Sequence, residues 1–126
     1  MDHRSPLIAI VDDEESVRRA LRRLLVSSGL DVDVFCAGRD FFAALSSRRP
    51  DCVVLDLHMP EMSGFEIQSQ LRQSGHDIPV VIITGHDTPE SKSRVLSAGA
   101  SAYLCKPVHG SELLRSIMTA LDPNEG

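Results

Sequence analysis

Four short apolar runs in this chain each end at a side chain that carries charge or a hydroxyl, and this repeat narrows the possible folds more than any other feature. Leu7 to Val11 runs into Asp12 and Asp13, Cys52 to Leu57 contains Asp56, Val80 to Ile83 is followed by Thr84, and Ala102 to Cys105 by Lys106. Continuous apolar runs too short for a buried helix suit strands covered on both faces. Val80 to Ile83 reads as the central one, and Val32 to Phe35 adds a fifth strand.

The intervening segments carry a helical period. Ser16 to Ser28 places Val17, Ala20, Leu21, Leu24 and Leu25 on one stripe, with Gly29 as the stop. Arg39 to Leu45 bears Phe41, Phe42 and Leu45, and Phe65 to Ser74 follows a loop holding Met59, Pro60 and Gly64. Pro89 to Ala98 ends at Gly99, and Gly110 to Leu121 carries Leu113, Leu114, Ile117, Met118 and Leu121. Alternating strands and helices joined by short loops imply parallel βαβ units, hence a doubly wound α/β fold with a five-stranded parallel sheet and helices on both faces. A length of 126 residues fits one domain over 1–126, with Asp122 to Gly126 as a linker start or tail.

Composition removes several function classes. A net charge of −5 argues against a surface that grips nucleic acid directly. The basic run Arg18, Arg19, Arg22 and Arg23 sits at helical spacing and reads as a solvated helix face. Cys36, Cys52 and Cys105 show neither metal-ligand spacing nor the density of a disulfide scaffold, so they read as reduced thiols. Without a run of about 20 apolar residues or an N-terminal signal pattern, the chain is expected to be soluble and cytoplasmic, with no membrane contact.

In doubly wound sheets ligands bind beyond the carboxyl ends of the strands, so Asp12, Asp13, Asp56, Thr84 and Lys106 are the candidate site. Three carboxylates held close repel one another unless a cation enters. Oxygen ligands without a His or Cys set call for a hard ion, Mg²⁺ or Mn²⁺, rather than zinc. Asp56 can then act as a nucleophile toward phosphorus, with the Lys106 ammonium and the Thr84 hydroxyl neutralising the phosphoryl oxygens. Each residue taken alone has a plainer reading: a helix cap for Asp12 and Asp13, a strand-end turn for Asp56 and Thr84, a solvated lysine for Lys106. Their joint spacing across the strand ends favours the site.

The chain resembles the response-regulator receiver family from about Leu7 to Leu121. The resemblance is carried by V-D-D-E (Val11 to Glu14), L-D-L-H-M-P-E-M-S-G (Leu55 to Gly64), I-I-T-G (Ile82 to Gly85), A-G-A-S-A-Y-L (Ala98 to Leu104) and K-P (Lys106, Pro107). It implies a flavodoxin-like (βα)5 fold in which Asp12, Asp13, Asp56 and the main-chain carbonyl of His58 hold Mg²⁺. Asp56 would take a phosphoryl group from a sensor histidine kinase or phosphotransfer protein, contacted by Thr84 and Lys106. The resemblance further implies a cis Lys106–Pro107 peptide and a rotamer switch at Tyr103 coupled to Thr84. T-G-H-D-T-P-E (Thr84 to Glu90) is most similar to FixJ-type regulators, whose receivers precede a helix-turn-helix output domain. The implied signalling face comprises Pro89 to Ala98, the strand at Tyr103 and the helix from Gly110, a face through which phosphorylated receivers can dimerise. His58 and His86 stand where the family varies. Pro89 to Ala98 is polar, so it is expected to be held loosely through Val95 and Leu96.

Other classes fit less well. A haloacid-dehalogenase-type phosphatase needs D-x-D after its first strand, where this chain has D-D-E; a flavin module needs a phosphate loop where Asp12 to Glu15 would repel phosphate. A phosphate-independent interaction module would not need the full set of acidic pair, acceptor, hydroxyl and lysine. The leading expectation is a signalling switch rather than a turnover enzyme.

Overall fold

A computed structural model of the chain describes residues 5–122. The expected tail at 122–126 therefore lies, apart from Asp122, outside the described residues. Strands β1 (Leu7–Val11), β2 (Asp31–Phe35), β3 (Cys52–Asp56), β4 (Val80–Thr84) and β5 (Ala102–Cys105) alternate with helices α1 (Glu15–Ser27), α2 (Gly38–Leu45), α3 (Gly64–Gln73), α4 (Pro89–Ser97) and α5 (Gly110–Leu121). Every expected element is present, with no end shifted by more than one residue. β3 stops at Asp56 rather than Leu57, and β4 takes in Thr84.

All strand pairs are parallel, in the order β2-β1-β3-β4-β5. The central strand is thus β3, not Val80 to Ile83 as the apolar run suggested. β1, β3 and β4 are buried at every residue, so hydrophobicity alone could not rank them. The chain proceeds in one direction from β1 to β2 and in the other from β3 to β5. The crevice where strand order reverses therefore opens between the carboxyl ends of β1 and β3.

Because successive strand residues face opposite sides, the sheet feeds two cores. Ile8, Ile10, Val54 and Ile83 meet Leu21 and Leu25 of α1 and Leu113 and Ile117 of α5. Val11, Val53, Leu55 and Ile82 meet Phe41 of α2, Ile67 and Leu71 of α3, and Val95 of α4. Gly29 and Gly99 stop their helices in the left-handed region, at φ 90° and 102°.

Three expected core residues are on the surface. Ala20 is exposed, Met118 is 53% exposed and Leu96 41% exposed. Each lies beside a buried residue in the helical period, at the edge of its stripe, where sequence spacing does not separate flank from centre. Val95 alone is buried in α4. The cysteines are free, Cys52 buried and the others exposed. Among the described residues no helix is long and apolar enough to cross a membrane.

Candidate functional site at the strand ends

Asp12 is the first residue beyond β1 and is fully buried. Its Oδ1 accepts the Glu14 N–H at 2.9 Å, and its main-chain carbonyl accepts from the Arg18 guanidinium at 2.8 Å. Arg18 is thus half-buried and tied to the site, whereas the rest of the basic run is exposed as expected. Asp12 Oδ2 makes no directed hydrogen bond, although the Lys106 ammonium lies 3.0 Å away.

Asp56 closes β3 and is 3% exposed. Carboxylate oxygens of Asp12, Asp13 and Asp56 lie within 4.8 Å of one another, with Asp13 exposed. Burial pushes the Asp56 carboxyl up to about 7, and the neighbouring Asp12 charge adds to this; Lys106 and the His58 backbone act in the opposite direction. The placement of Asp56 depends on Gly64, the first residue of α3. A Cβ there would stand 2.7 Å from the Asp56 carbonyl oxygen and 2.9 Å from Leu57 Cα, so only glycine lets α3 approach this closely.

Lys106 follows β5 and begins the cis Lys106–Pro107 peptide. Its ammonium lies 2.9 Å from Glu14 Oε1, 3.0 Å from Asp12 and 3.5 Å from Asp56 Oδ1. Burial disfavours its charge, but the hydrogen bond with Glu14 and the attraction of the Asp12 and Asp56 carboxylates outweigh this and raise its pKa above the ordinary lysine value.

Thr84, the last residue of β4, is buried. Its hydroxyl accepts the His86 N–H at 3.0 Å and contacts the His86 carbonyl at 3.2 Å. The Tyr103 hydroxyl donates to Asp87 at 2.8 Å, and burial together with this bond pushes the phenol up to about 12. A pocket of about 240 Å³ lies over the carboxylates, lined by Asp13, Glu14, Asp56, His58, Gly85, His86 and Lys106. The His58 ring stands edge-on to Phe65 and His86, at 6.3 and 5.7 Å between centroids.

Asp12, Asp13, Asp56 and Lys106 are therefore brought together, while Thr84 and Tyr103 direct their hydroxyls to the loop after β4. Three partners escaped the sequence reading: Glu14, Arg18 and Asp87. Glu14 and Asp87 stood inside motifs already singled out, but an exposed acid has no sequence mark for a partner 92 residues away, the separation of Glu14 and Lys106.

Residues 8–118 match the response regulator receiver domain family. The chain belongs to that family. Among curated relatives, the receiver domain is 39% identical over 122 residues to Response regulator MprA of Mycolicibacterium vanbaalenii, covering 94% of this chain and 53% of that protein. It is 40% identical over 114 residues to Transcriptional regulatory protein PcoR of Escherichia coli, covering 90% and 50%. The chain spans about half the length of the curated relatives it matches. Among solved structures it superposes on FixJ-N with a TM-score of 0.87 at 32% identity, covering 94% of this chain and 95% of that one. The response regulator StyR matches at a TM-score of 0.83 and 40% identity, covering 96% and 61%.

Proposed function

We propose that Asp56 is the phosphoacceptor of a two-component signalling switch and that Asp12, Asp13, Asp56 and the His58 carbonyl form a Mg²⁺ site. The observation that carries this reading is the close set of three carboxylates, with the buried Asp12 Oδ2 left without a directed hydrogen bond beside them. That donor set is all oxygen and suits Mg²⁺ or Mn²⁺, which when bound neutralises charge on the transferring phosphoryl group.

An Asp56 carboxylate oxygen attacks the donor phosphorus as the bond from phosphorus to its leaving group breaks. The electron pair departs with that group, which is the imidazole of a phosphohistidine or the acetate of acetyl phosphate. Lys106 turns its ammonium to the phosphoryl oxygens. Thr84 releases the His86 backbone and donates to the phosphoryl group. The space it leaves admits Tyr103, whose bond to Asp87 then breaks, repositioning Gly85 to Thr88 and α4. The domain undergoes phosphorylation and slow dephosphorylation of its own acceptor and otherwise works by changing shape. A histidine kinase or phosphotransfer protein is the donor, an output domain or partner the receiver of the signal, and the cytoplasm the place. The α4-β5-α5 face is the surface for that signal and for dimerisation.

Intact mass spectrometry after incubation with Mg²⁺ and acetyl phosphate tests the reading. One phosphoryl group should be added to the parent and none to Asp56→Asn or to the parent in EDTA. An equal mass gain in Asp56→Asn would end the acceptor assignment.

A further inference from the structure

The Lys106 ammonium stands nearer to Glu14, at 2.9 Å, than to Asp56, at 3.5 Å. Asp12 and Asp56 belong to the proposed ion and acceptor site, so among the described residues Glu14 is the one partner of Lys106 that the site itself does not use. Glu14 is also the N-cap residue of α1, yet its side chain makes no capping hydrogen bond, so the carboxylate is free to serve Lys106. It lines the pocket above Asp56. Its side chain is 57% exposed against 15% for Lys106, placing the pair at the rim with the ammonium on the inner side.

We infer that Glu14 is a positioning residue for Lys106, holding the ammonium at the rim and competing for it with a phosphoryl group on Asp56. The inference rests on the phosphoacceptor reading above. An ammonium shared between two anions spends part of its time on each. Removing the charge of Glu14 therefore frees Lys106 for the phosphoryl group, and the phosphorylated state gains stability. Because Glu14 is mostly exposed, the gain has the modest size of a surface ion pair, and added salt shrinks it.

The test titrates beryllofluoride, a phosphoryl mimic, into the parent, Glu14→Gln and Glu14→Asp at saturating Mg²⁺, following amide NMR signals of the Thr84 to His86 loop. Glu14→Gln should bind about two- to fivefold more tightly than the parent. That ratio should approach one as salt rises from about 0.1 M to about 1 M and the Debye length falls from about 10 to about 3 Å. Glu14→Asp keeps the charge on a shorter reach and should fall between the two. The same pair compared in a Lys106→Met background completes a double-mutant cycle in which the ratio should collapse to one. A ratio that persists without Lys106 overturns the inference, since Glu14 would then act on the anion by plain repulsion; so does parent-like affinity of Glu14→Gln. Failure of Asp56 in the parent to take up acetyl phosphate would instead remove the acceptor reading, and this inference with it.

Discussion

Helices α3 and α4 both follow loops that line the pocket over Asp56, yet they are fastened in opposite ways. α3 starts with a reciprocal capping box between Ser63 and Glu66 and buries Gly64, Ile67, Gln68 and Leu71. Its first residue touches the Asp56 backbone. α4 has Thr88 as N-cap and Pro89 in its first turn but buries Val95 alone. Two further attachments come from α3: the Gln68 amide donates to the Val95 carbonyl at 3.0 Å, and the Phe65 ring lies 3.9 Å from the Arg94 guanidinium carbon. A helix pinned by apolar burial and backbone contact holds Asp56 still. A helix hung on one valine and a few polar contacts is suited to move when the loop before it moves.

The sharpest way to break this contrast is Gly64→Ala. The new methyl would meet backbone rather than flexible side chains, so the strand end must shift, at a cost of about 3 kcal/mol. Urea unfolding should register this loss, and uptake of acetyl phosphate by Asp56 should fall with it. Parent-like stability would show that α3 is not anchored through that contact.

Val95→Ala should cost about 2 kcal/mol in total stability. Its distinguishing mark is spatial. Hydrogen exchange should quicken across α4 while α3 keeps its protection, and equal loosening of both helices would remove the distinction drawn between them.

The fixed side of the contrast also carries a charge conflict, which pH exposes. Asp56 has its pKa raised to about 7 in the metal-free fold from an ordinary 3.8, so the fold favours the protonated carboxyl. The stability tied to that proton is fully present below the unfolded value and is lost as pH rises through about 7. In EDTA the domain should therefore weaken between about pH 4 and pH 7, and Asp56→Asn should flatten that slope and gain about 1–2 kcal/mol at the upper end. Mg²⁺ should produce similar flattening in the parent. A slope unchanged by Asp56→Asn would assign the pH dependence to other groups.

The smallest effect is reserved for the polar link. Gln68→Leu removes one donor, but the Val95 carbonyl still accepts the Ala100 N–H at 3.0 Å, so nothing buried is orphaned. A loss of about 1 kcal/mol or less is expected, read as faster exchange at the C-terminal end of α4. Unchanged exchange there would leave Val95 and the Phe65–Arg94 contact as the tethers that matter.

Much of the molecule was legible beforehand because it follows from local pattern. Runs such as Val53 to Leu55, bounded by turn residues and alternating with helical stripes, leave few alternatives to parallel strands with crossover helices. The carboxyl ends of those strands then place Asp12, Asp13, Asp56 and Lys106 at one edge. Sheet order was not legible, since β1, β3 and β4 are equally apolar and only their pairing puts β3 at the centre. Nor was the exposure of Ala20, Leu96 and Met118, which depends on how far each helix is rolled against the sheet. The partners of the site side chains were hidden for the same reason. Sequence period reports which residues share a face, but the pairing of Lys106 with Glu14, of Gln68 with Val95 and of Tyr103 with Asp87 exists only once separate elements are docked. Local propensity and hydrophobic period determined the elements and the chemistry at their ends. Tertiary packing decided the partners, because distances of 3 Å between residues far apart in the chain are set by the docking of whole elements rather than by either residue's neighbours.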